Sequence, residues 1–390
     1  MRRKPTSFLG AHAVMRMFRS GTTERPDYFF VGAFFLLLAL GMIMLSSASA
    51  VLSFQKFGTP YYYVVHQLLF GVLPGLVLLF AASRIDYHLW RPFALPFLLF
   101  SIGLLVLVFL PGIGYEFGGA RRWVHLGPLL FQPSELAKLS FILYLAVWLS
   151  SKGVKHIQNF AYGFLPFSVM TGTLALLVIL QPDVGTMGVI ALIAFSMYFI
   201  GGAALPHLAI AATAGVTLLI ILIRSAEYRF KRFMTFLHPE LDPLGIGYHI
   251  NQALLAIGSG GIFGRGFGHS RQKFAYLPEV TGDSIFAIIA EEMGFIFALL
   301  FIGLFVFLAV RGLRIARNAP DDFGKFIAIG IVAWIAFQAF INIAAMLSLL
   351  PLTGIPLPFV SYGGSSMRVS LFAIGILINI SRQGKGERSA

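Results

Sequence analysis

Apolar runs long enough to cross a lipid bilayer recur along the whole chain. A transmembrane helix needs about 20 mostly apolar residues, and the 390 residues are 58% hydrophobic and only 12% charged. A soluble fold of this length would need far more polar surface, so the sequence predicts an all-α integral membrane protein, a polytopic bundle of about ten transmembrane helices with one large outer loop. The predicted spans are about 28–49, 61–83, 92–111, 135–150, 162–181, 184–202, 205–223, 284–310, 324–350 and 365–381.

The helix count depends on Gln181-Pro182-Asp183, which separates two apolar runs. Proline removes a backbone donor and ends or kinks a helix, so 162–202 is interpreted as two spans. This split places both ends of the chain on the same side of the membrane.

Lys and Arg in short loops predict the orientation, because cytoplasmic loops are enriched in both. If the basic arm 1–27 is cytoplasmic, the basic groups at Arg84/Arg91, Lys152/Lys155, 311–317 and the tail 382–390 also fall inside. The first 26 residues lack the order of a signal peptide, so no cleaved leader is predicted. The outer side then holds the loops 50–60, 112–134, 224–283 and 351–364.

The net charge of +13 follows largely from this topology, and nucleic-acid binding is not expected. One outer segment needs its own explanation, because 224–282 holds seven Lys and Arg against four Asp and Glu, or +3. One interpretation is that long loops cross the membrane largely regardless of their charge, so the orientation rule does not apply to this segment. The alternative is attraction of an anionic substrate such as a phosphorylated lipid, and both interpretations stay open.

Asp283 stands where a Gly-containing loop enters an apolar run that also carries Glu291 and Glu292. A carboxylate at the centre of a membrane helix costs about 2.5–3.5 kcal/mol, so three acids here indicate a polar cavity or a site. We expect Asp283 to begin the helix, where the dipole favours the ionised form and partial burial raises the pKa. It is then a general base for a sugar hydroxyl or a plain N-cap. Glu291 and Glu292 are expected to form interhelical hydrogen bonds, or else a proton relay.

The outer loop 112–134 offers Arg121 and Arg122, whose planar donors suit phosphate or lipid headgroups. Ser134 is predicted to cap the helix that follows. Glu135 and Lys138 are three residues apart on one helix face, either as a neutralising pair at the membrane edge or as part of a site.

Asp183 either caps the next helix or contacts a sugar hydroxyl or cation. In the outer segment, 247–257 is too short to span and predicts an interfacial or re-entrant helix. Gly258 to Gly268 permits tight backbone approach or is simply flexible. Three prolines and three glycines in 350–364 preclude a regular helix, so this broken segment should line a cavity or pack on protein.

The sequence lacks the residues that several kinds of site require. The chain has no cysteine, which excludes disulfides and thiol chemistry. His207 and His249 lack ligand partners at metal-binding spacing, so no zinc site is predicted. No nucleotide-binding loop, Ser-His-Asp order or metalloprotease motif is present.

Four segments in order, 119–138, 181–186, 247–283 and 358–366, resemble the SEDS family (shape, elongation, division, sporulation) of bacterial cell-wall polymerases. They contain Gly-Ala-Arg-Arg-Trp with Gln-Pro-Ser-Glu-Leu-Ala-Lys, Gln-Pro-Asp-Val-Gly-Thr, Gly-Tyr-His-Ile-Asn-Gln with Leu-Pro-Glu and Asp, and Pro-Phe-Val-Ser-Tyr-Gly-Gly-Ser-Ser. Residues 270–279 are closer to the division type (FtsW), whereas 353–358 lean toward the elongation type (RodA). The division type is favoured.

The resemblance implies a peptidoglycan glycosyltransferase that polymerises lipid II at the outer face of the bacterial cytoplasmic (inner) membrane. It implies as partners undecaprenyl-pyrophosphate-linked glycan, a class B penicillin-binding protein and divisome or elongasome proteins. The family's essential aspartate falls on Asp283. Departures are Thr281-Gly282 in place of His-Thr, and Arg368, which the sequence does not explain. The implied substrate-binding candidates are Arg121, Arg122, Glu135, Lys138, Asp183, Gln252, Lys273, Glu279 and Ser361.

The implied reaction is an inverting transfer in which Asp283 deprotonates the 4-hydroxyl of an N-acetylglucosamine. Nearby cations would stabilise the leaving pyrophosphate. No cofactor is required by the sequence, although Mg²⁺ or Mn²⁺ can assist. Buried acids and broken helices also fit a lipid II flippase or an ion-coupled transporter, and a scaffold that only recruits its partner is a third alternative.

Overall fold

The computed structural model describes residues 25–117, 119–126, 129–238, 242 and 245–384. Most of the predicted basic arm, the tail beyond 384 and parts of two predicted outer loops therefore lie outside the described residues.

Apart from one turn at Val154–Ile157, the described residues form twelve helices. Ten of them occupy the ten predicted spans, and eight of these are long and apolar enough to cross a membrane. The all-α membrane architecture is therefore confirmed. The helices are α1 Tyr28–Phe57, α2 Tyr62–Arg84, α3 Tyr87–Leu107, α4 Pro133–Ser150, α5 Phe160–Leu180, α6 Val184–Ile200, α7 Leu205–Ser225, α8 Glu227–Leu237, α9 Ile246–Ser259, α10 Ile285–Arg317, α11 Asp322–Met346 and α12 Gly364–Gln383.

The predicted break between the fifth and sixth spans is present. Helix α5 ends at Leu180 and α6 begins at Val184. The side chain of Asp183 accepts a 3.0 Å hydrogen bond from the Thr186 N–H, which satisfies a free donor in the first turn of α6. The capping interpretation of Asp183 is thus confirmed.

The glycine-rich segment 258–268 packs into a gap in α10. Gly294 has φ +78° and interrupts the helix, and a Cβ there would overlap the backbone of Phe263 and Gly264. The neighbouring loop uses the backbone groups on both sides of the gap: the N–H of Gly266 donates to the Glu292 carbonyl at 2.9 Å. The N–H of Phe295 donates to the Gly261 carbonyl at 2.9 Å. These glycines therefore serve close backbone approach, one of the two roles expected for them.

A small antiparallel sheet in the loop between α3 and α4 was not predicted. Its strands β1 Gly114–Phe117, β2 Ala120–Leu126 and β3 Leu129–Phe131 pair in the order β1-β2-β3. Ser365, in the first turn of α12, donates to the Leu130 carbonyl at 3.2 Å and accepts from the Gln132 N–H at 3.2 Å. The sheet is thereby fixed to the end of α12.

The loops group at two ends of the bundle, as the predicted topology requires. At one end the sheet contacts the start of α12, and the segment between α11 and α12 contacts the loop before α10. At the other end Arg311 pairs with Asp27 at 2.6 Å, and Tyr87 donates to Asp321 at 2.8 Å. Helices α11 and α12 are the most buried spans and separate these two clusters.

Candidate active site

Asp283 lies in the loop immediately before α10, at the end of the bundle where the predicted outer loops meet. Helix α10 begins at Ile285 and its N-cap is Ser284. The expectation that Asp283 begins the helix is therefore wrong by two residues, and the alternative that it is a plain N-cap is also wrong. The half-buried carboxylate of Asp283 does not serve as the cap.

The broken segment between α11 and α12 holds the backbone around Asp283. The buried hydroxyl of Ser361 donates to the Gly282 carbonyl at 2.6 Å, and the N–H of Tyr362 donates to the Thr281 carbonyl at 2.8 Å. Gly354, with φ +71°, leaves space beside the carboxylate, since even a Cβ at that position would lie 4.0 Å from Asp283 Oδ2. The predicted packing of this segment on protein is confirmed.

The electrostatics of this loop favour a carboxylate that can take up a proton near neutral pH. Burial raises the pKa of Asp283 to about 6, although backbone N–H groups and the Arg232 guanidinium act in the opposite direction. Burial, followed by the negative charge of Asp283, raises the pKa of Glu279. Two acids with raised pKa values therefore lie together, and such perturbation is common at catalytic sites.

Helix α9 brings a histidine to the same loop. His249 Nε2 lies 2.7 Å from the Ser284 hydroxyl. The sequence did not predict this contact, because the pairing of α9 with the start of α10 is tertiary. Gln252 is half-buried and follows His249 by three residues, so it shares the same face of α9.

Glu135 and Lys138 form an ion pair inside the bundle. Their side chains are each 1% exposed and 2.8 Å apart, so they neutralise each other on a face of α4 that meets protein. Lys138 also donates to Gln338 Oε1 at 2.7 Å and lies 4.7 Å from the centre of the Trp334 ring. Gln338 donates in turn to the Pro356 carbonyl at 2.9 Å. The pair thus supports the broken segment that surrounds Asp283.

The start of α4 differs from the prediction. The helix begins at Pro133 after Gln132, without a side-chain cap. The Ser134 hydroxyl is buried and has no hydrogen-bond partner within the part of the chain that the structure describes. The prediction that Ser134 caps this helix is wrong, because Ser134 lies inside the first turn.

The two arginines of the sheet have different surroundings. Arg122 donates through Nε to the Gln181 carbonyl at 3.1 Å and through its terminal nitrogen to the Pro182 carbonyl. Arg121 forms a 3.1 Å ion pair with Glu116, in which both side chains are more than half exposed. Arg122 therefore stabilises the loop that contains Asp183, whereas the guanidinium of Arg121 faces solvent.

The structure does not bring Lys273 to Asp283. Its buried ammonium lies 3.0 Å from Glu292, 3.0 Å from the Ser47 hydroxyl and 2.7 Å from the Gly268 carbonyl. Ser47 on α1 also donates to Glu292 at 2.7 Å, which is the expected interhelical hydrogen bond. A substrate contact through Lys273 stays a prediction.

Glu291 anchors the loop before α10. It accepts a 3.0 Å hydrogen bond from the Arg271 N–H and a bond from the Ser270 hydroxyl. Arg265 approaches it to 3.8 Å. Both acids of α10 therefore hold the loop that leads to Asp283.

Comparisons with known proteins agree with the motifs. A family model for FtsW, RodA and SpoVE, described as "Cell cycle protein", matches residues 28–386. Stage V sporulation protein E of Bacillus subtilis is 44% identical over 366 residues, covering 93% of this chain and 100% of the relative. The probable peptidoglycan glycosyltransferase FtsW of Trichlorobacter lovleyi is 42% identical over 345 residues, covering 88% of this chain and 90% of the relative.

A solved structure supports the same assignment. A chain from work on the structural coordination of polymerization and crosslinking by a peptidoglycan synthase complex superimposes with a TM-score of 0.76. It is 27% identical, and the match covers 93% of this chain and 99% of that chain. The chain belongs to the FtsW/RodA/SpoVE family, the SEDS family that its motifs resemble.

Proposed function

We propose that this chain is a peptidoglycan glycosyltransferase that polymerises lipid II at the outer face of the bacterial cytoplasmic membrane during cell division. Asp283 is the general base. The observation that carries this assignment is the half-buried Asp283 carboxylate with a pKa of about 6, held by backbone hydrogen bonds in a chain of this family. Relatives with the printed name probable peptidoglycan glycosyltransferase FtsW support the reaction class and the division type.

The reaction needs one proton acceptor and stabilisation of one leaving group. Asp283 takes the proton of the acceptor's 4-hydroxyl as that oxygen bonds to C1 of the donor sugar. The bond from C1 to the pyrophosphate oxygen breaks at the same time, which inverts C1. A base with a pKa close to the working pH suits this step.

Arg121 is the candidate contact for the leaving undecaprenyl pyrophosphate. Its surface ion pair with Glu116 is worth little in water, about 0–1 kcal/mol, so a pyrophosphate can replace that partner. Guanidinium groups bind phosphate oxygens through two parallel hydrogen bonds. We propose no resident cofactor. Mg²⁺ or Mn²⁺ would enter with the pyrophosphate, whose oxygens are preferred ligands of hard cations.

The buried charges favour an enzyme over a flippase or an ion-coupled transporter. Glu135 and Glu292 each have a lysine partner within 3.0 Å, so these acids are neutralised inside the bundle. Asp283, in contrast, lies near the bundle end with its carboxylate half-buried. A carrier requires coupled sites that reach both faces, whereas the polar site here lies at one end.

A class B penicillin-binding protein is the proposed partner, because glycan polymerisation and crosslinking belong to one process. The similar solved chain comes from a peptidoglycan synthase complex, which supports such a pairing. Both chain termini are proposed to be cytoplasmic, since the basic loops group at the end opposite Asp283.

The test is polymerisation of labelled lipid II by the purified chain with its partner in detergent. The wild type should form glycan strands without any membrane compartment, and Asp283→Asn should form none. Asp86→Asn, at the opposite end of the bundle, is the control and should retain activity. Undiminished polymer from Asp283→Asn would refute the base assignment.

A further inference from the structure

Ser284 connects His249 of α9 to Asp283. The Ser284 hydroxyl lies 2.7 Å from His249 Nε2 and 3.5 Å from Asp283 Oδ1. Ser284 is fully buried and His249 is half-buried, so bulk water does not separate the three groups. Hydrogen bonds at catalytic sites often shorten when substrate binds.

The orientation of the Ser284 hydroxyl is unusual for its place in the chain. Serine is a preferred N-cap because its oxygen accepts from a free N–H in the first helical turn. Ser284 is the N-cap of α10, yet its side chain makes no such hydrogen bond. The hydroxyl faces His249 and Asp283 instead, at the expense of the cap.

Burial, with smaller effects from two neighbouring charges, sets the protonation state of His249. Burial lowers its pKa, the charge of Glu279 raises it and the charge of Arg232 lowers it further, with a net pKa below the usual 6.5. The imidazole is therefore neutral near pH 7, with one ring nitrogen able to accept a proton. Asp283 reaches it through Ser284.

We propose that Ser284 and His249 relay to solvent the proton that Asp283 takes from the acceptor sugar. The proposal rests on the proposed function. After transfer, the Asp283 carboxylic acid donates its proton to Ser284 Oγ while the Ser284 hydroxyl proton passes to His249 Nε2. The carboxylate is regenerated and His249 becomes an imidazolium, which then releases the proton to water. Neither residue contacts the reacting atoms, so both are positioning residues.

The pH dependence of kcat distinguishes a relay from a structural role. In the wild type, Asp283 must be ionised and His249 neutral, so log kcat should approach a slope of two on the acid side. His249→Gln and Ser284→Ala should each reduce that slope to one and lower kcat about tenfold at neutral pH, with KM unchanged. Ser284→Thr keeps a hydroxyl and should restore the slope of two.

Controls and rescue keep the outcomes distinct. His156→Gln and Ser196→Ala, remote from the loop, should show wild-type profiles. If His249→Gln and Ser284→Ala give no polymer, imidazole added to His249→Ala should restore it, and failure to restore activity in folded protein overturns the relay. If the pH profiles of log kcat for His249→Gln and Ser284→Ala both keep the wild-type slope, the relay is also overturned. Activity in Asp283→Asn would instead overturn the proposed function.

Discussion

The side-chain amide of Asn342 donates a 2.8 Å hydrogen bond to the carbonyl oxygen of Asp283, and the same nitrogen donates at 2.9 Å to the Ile355 carbonyl. Asn342 is buried in α11. One amide group therefore joins the loop before α10 to the broken segment between α11 and α12. The position of the proposed base depends on this bridge.

Asn342→Ala should lower kcat for polymerisation by more than its loss of folding stability can explain. Loss of the amide leaves two carbonyls without this donor, which costs about 1–3 kcal/mol. A displacement of the base by about 1 Å can lower the rate about 100-fold. The measurements are kcat on lipid II and Tm in detergent.

Asn379 provides a matched control for that substitution. This buried amide at the opposite end accepts from the Tyr87 N–H at 3.0 Å and donates to the Ser83 carbonyl at 3.1 Å. Asn379→Ala should lower Tm to a similar degree and leave kcat unchanged below the melting temperature. Equal losses of kcat in the two variants would show that Asn342 acts only on stability.

The ion pair of Glu135 and Lys138 should be more sensitive to single than to double substitution. Removing one partner leaves a buried charge without compensation, which costs about 3–5 kcal/mol, whereas an apolar replacement of both is often neutral. We expect Lys138→Met alone to lower Tm strongly and Glu135→Leu with Lys138→Met to recover much of the loss. Thermal unfolding of each detergent-solubilised variant gives the Tm values to compare.

The exposed ion pair of Glu116 and Arg121 is the control for the buried pair of Glu135 and Lys138. Glu116→Gln should change stability by less than about 1 kcal/mol, because surface pairs are solvated and screened. A double variant at 135 and 138 that is no more stable than Lys138→Met would contradict the prediction.

The spans and the break at 181–183 could be predicted because length, hydropathy and proline act locally along the chain. The grouping of the predicted outer loops at one end could be inferred from the Lys and Arg residues of the loops at the opposite end. The family motifs also located Asp283. None of these inferences needed knowledge of which helices touch.

The contacts that organise the site could not be predicted in the same way. The bridge from Asn342 and the contact of His249 with Ser284 join residues 59 and 35 positions apart, and no local pattern specifies them. Glu135 and Lys138 were correctly paired by helical spacing, but spacing does not reveal whether a helix face meets lipid or protein. The small sheet was not predicted because its strands are short, three to seven residues, and show no sustained alternation of polar and apolar residues.

Arg232→Gln should move the acid limb of kcat/KM to higher pH. The positive charge of Arg232 lowers the pKa of Asp283 and of His249, so its removal raises both values. A base is active when deprotonated, and therefore the rate should begin to fall at a higher pH than in the wild type. Arg232→Lys keeps the charge and should retain the wild-type midpoint.

Salt gives an independent check on this interpretation. Arg232 is exposed, so its effect on Asp283 should weaken as ionic strength rises and the Debye length shortens. The midpoints of the wild type and Arg232→Gln should then converge. Identical midpoints at low salt would contradict the electrostatic role.

Asp283→Asn should make the protein more stable while it abolishes polymerisation. Burial raises the folded-state pKa of Asp283 from 3.8 to about 6, so the ionised carboxylate destabilises the fold at neutral pH. With allowance for its partial exposure, the amide should gain roughly 1–2 kcal/mol at pH 7. The sign follows from linkage: the penalty is fully present above the folded-state pKa of about 6, shrinks as the pH falls below that value, and is lost below about pH 3.8, where the acid is neutral in both states. Tm measured from pH 4 to pH 8 should show the two proteins converging at low pH, and an Asn variant that is less stable at pH 7 would contradict the prediction.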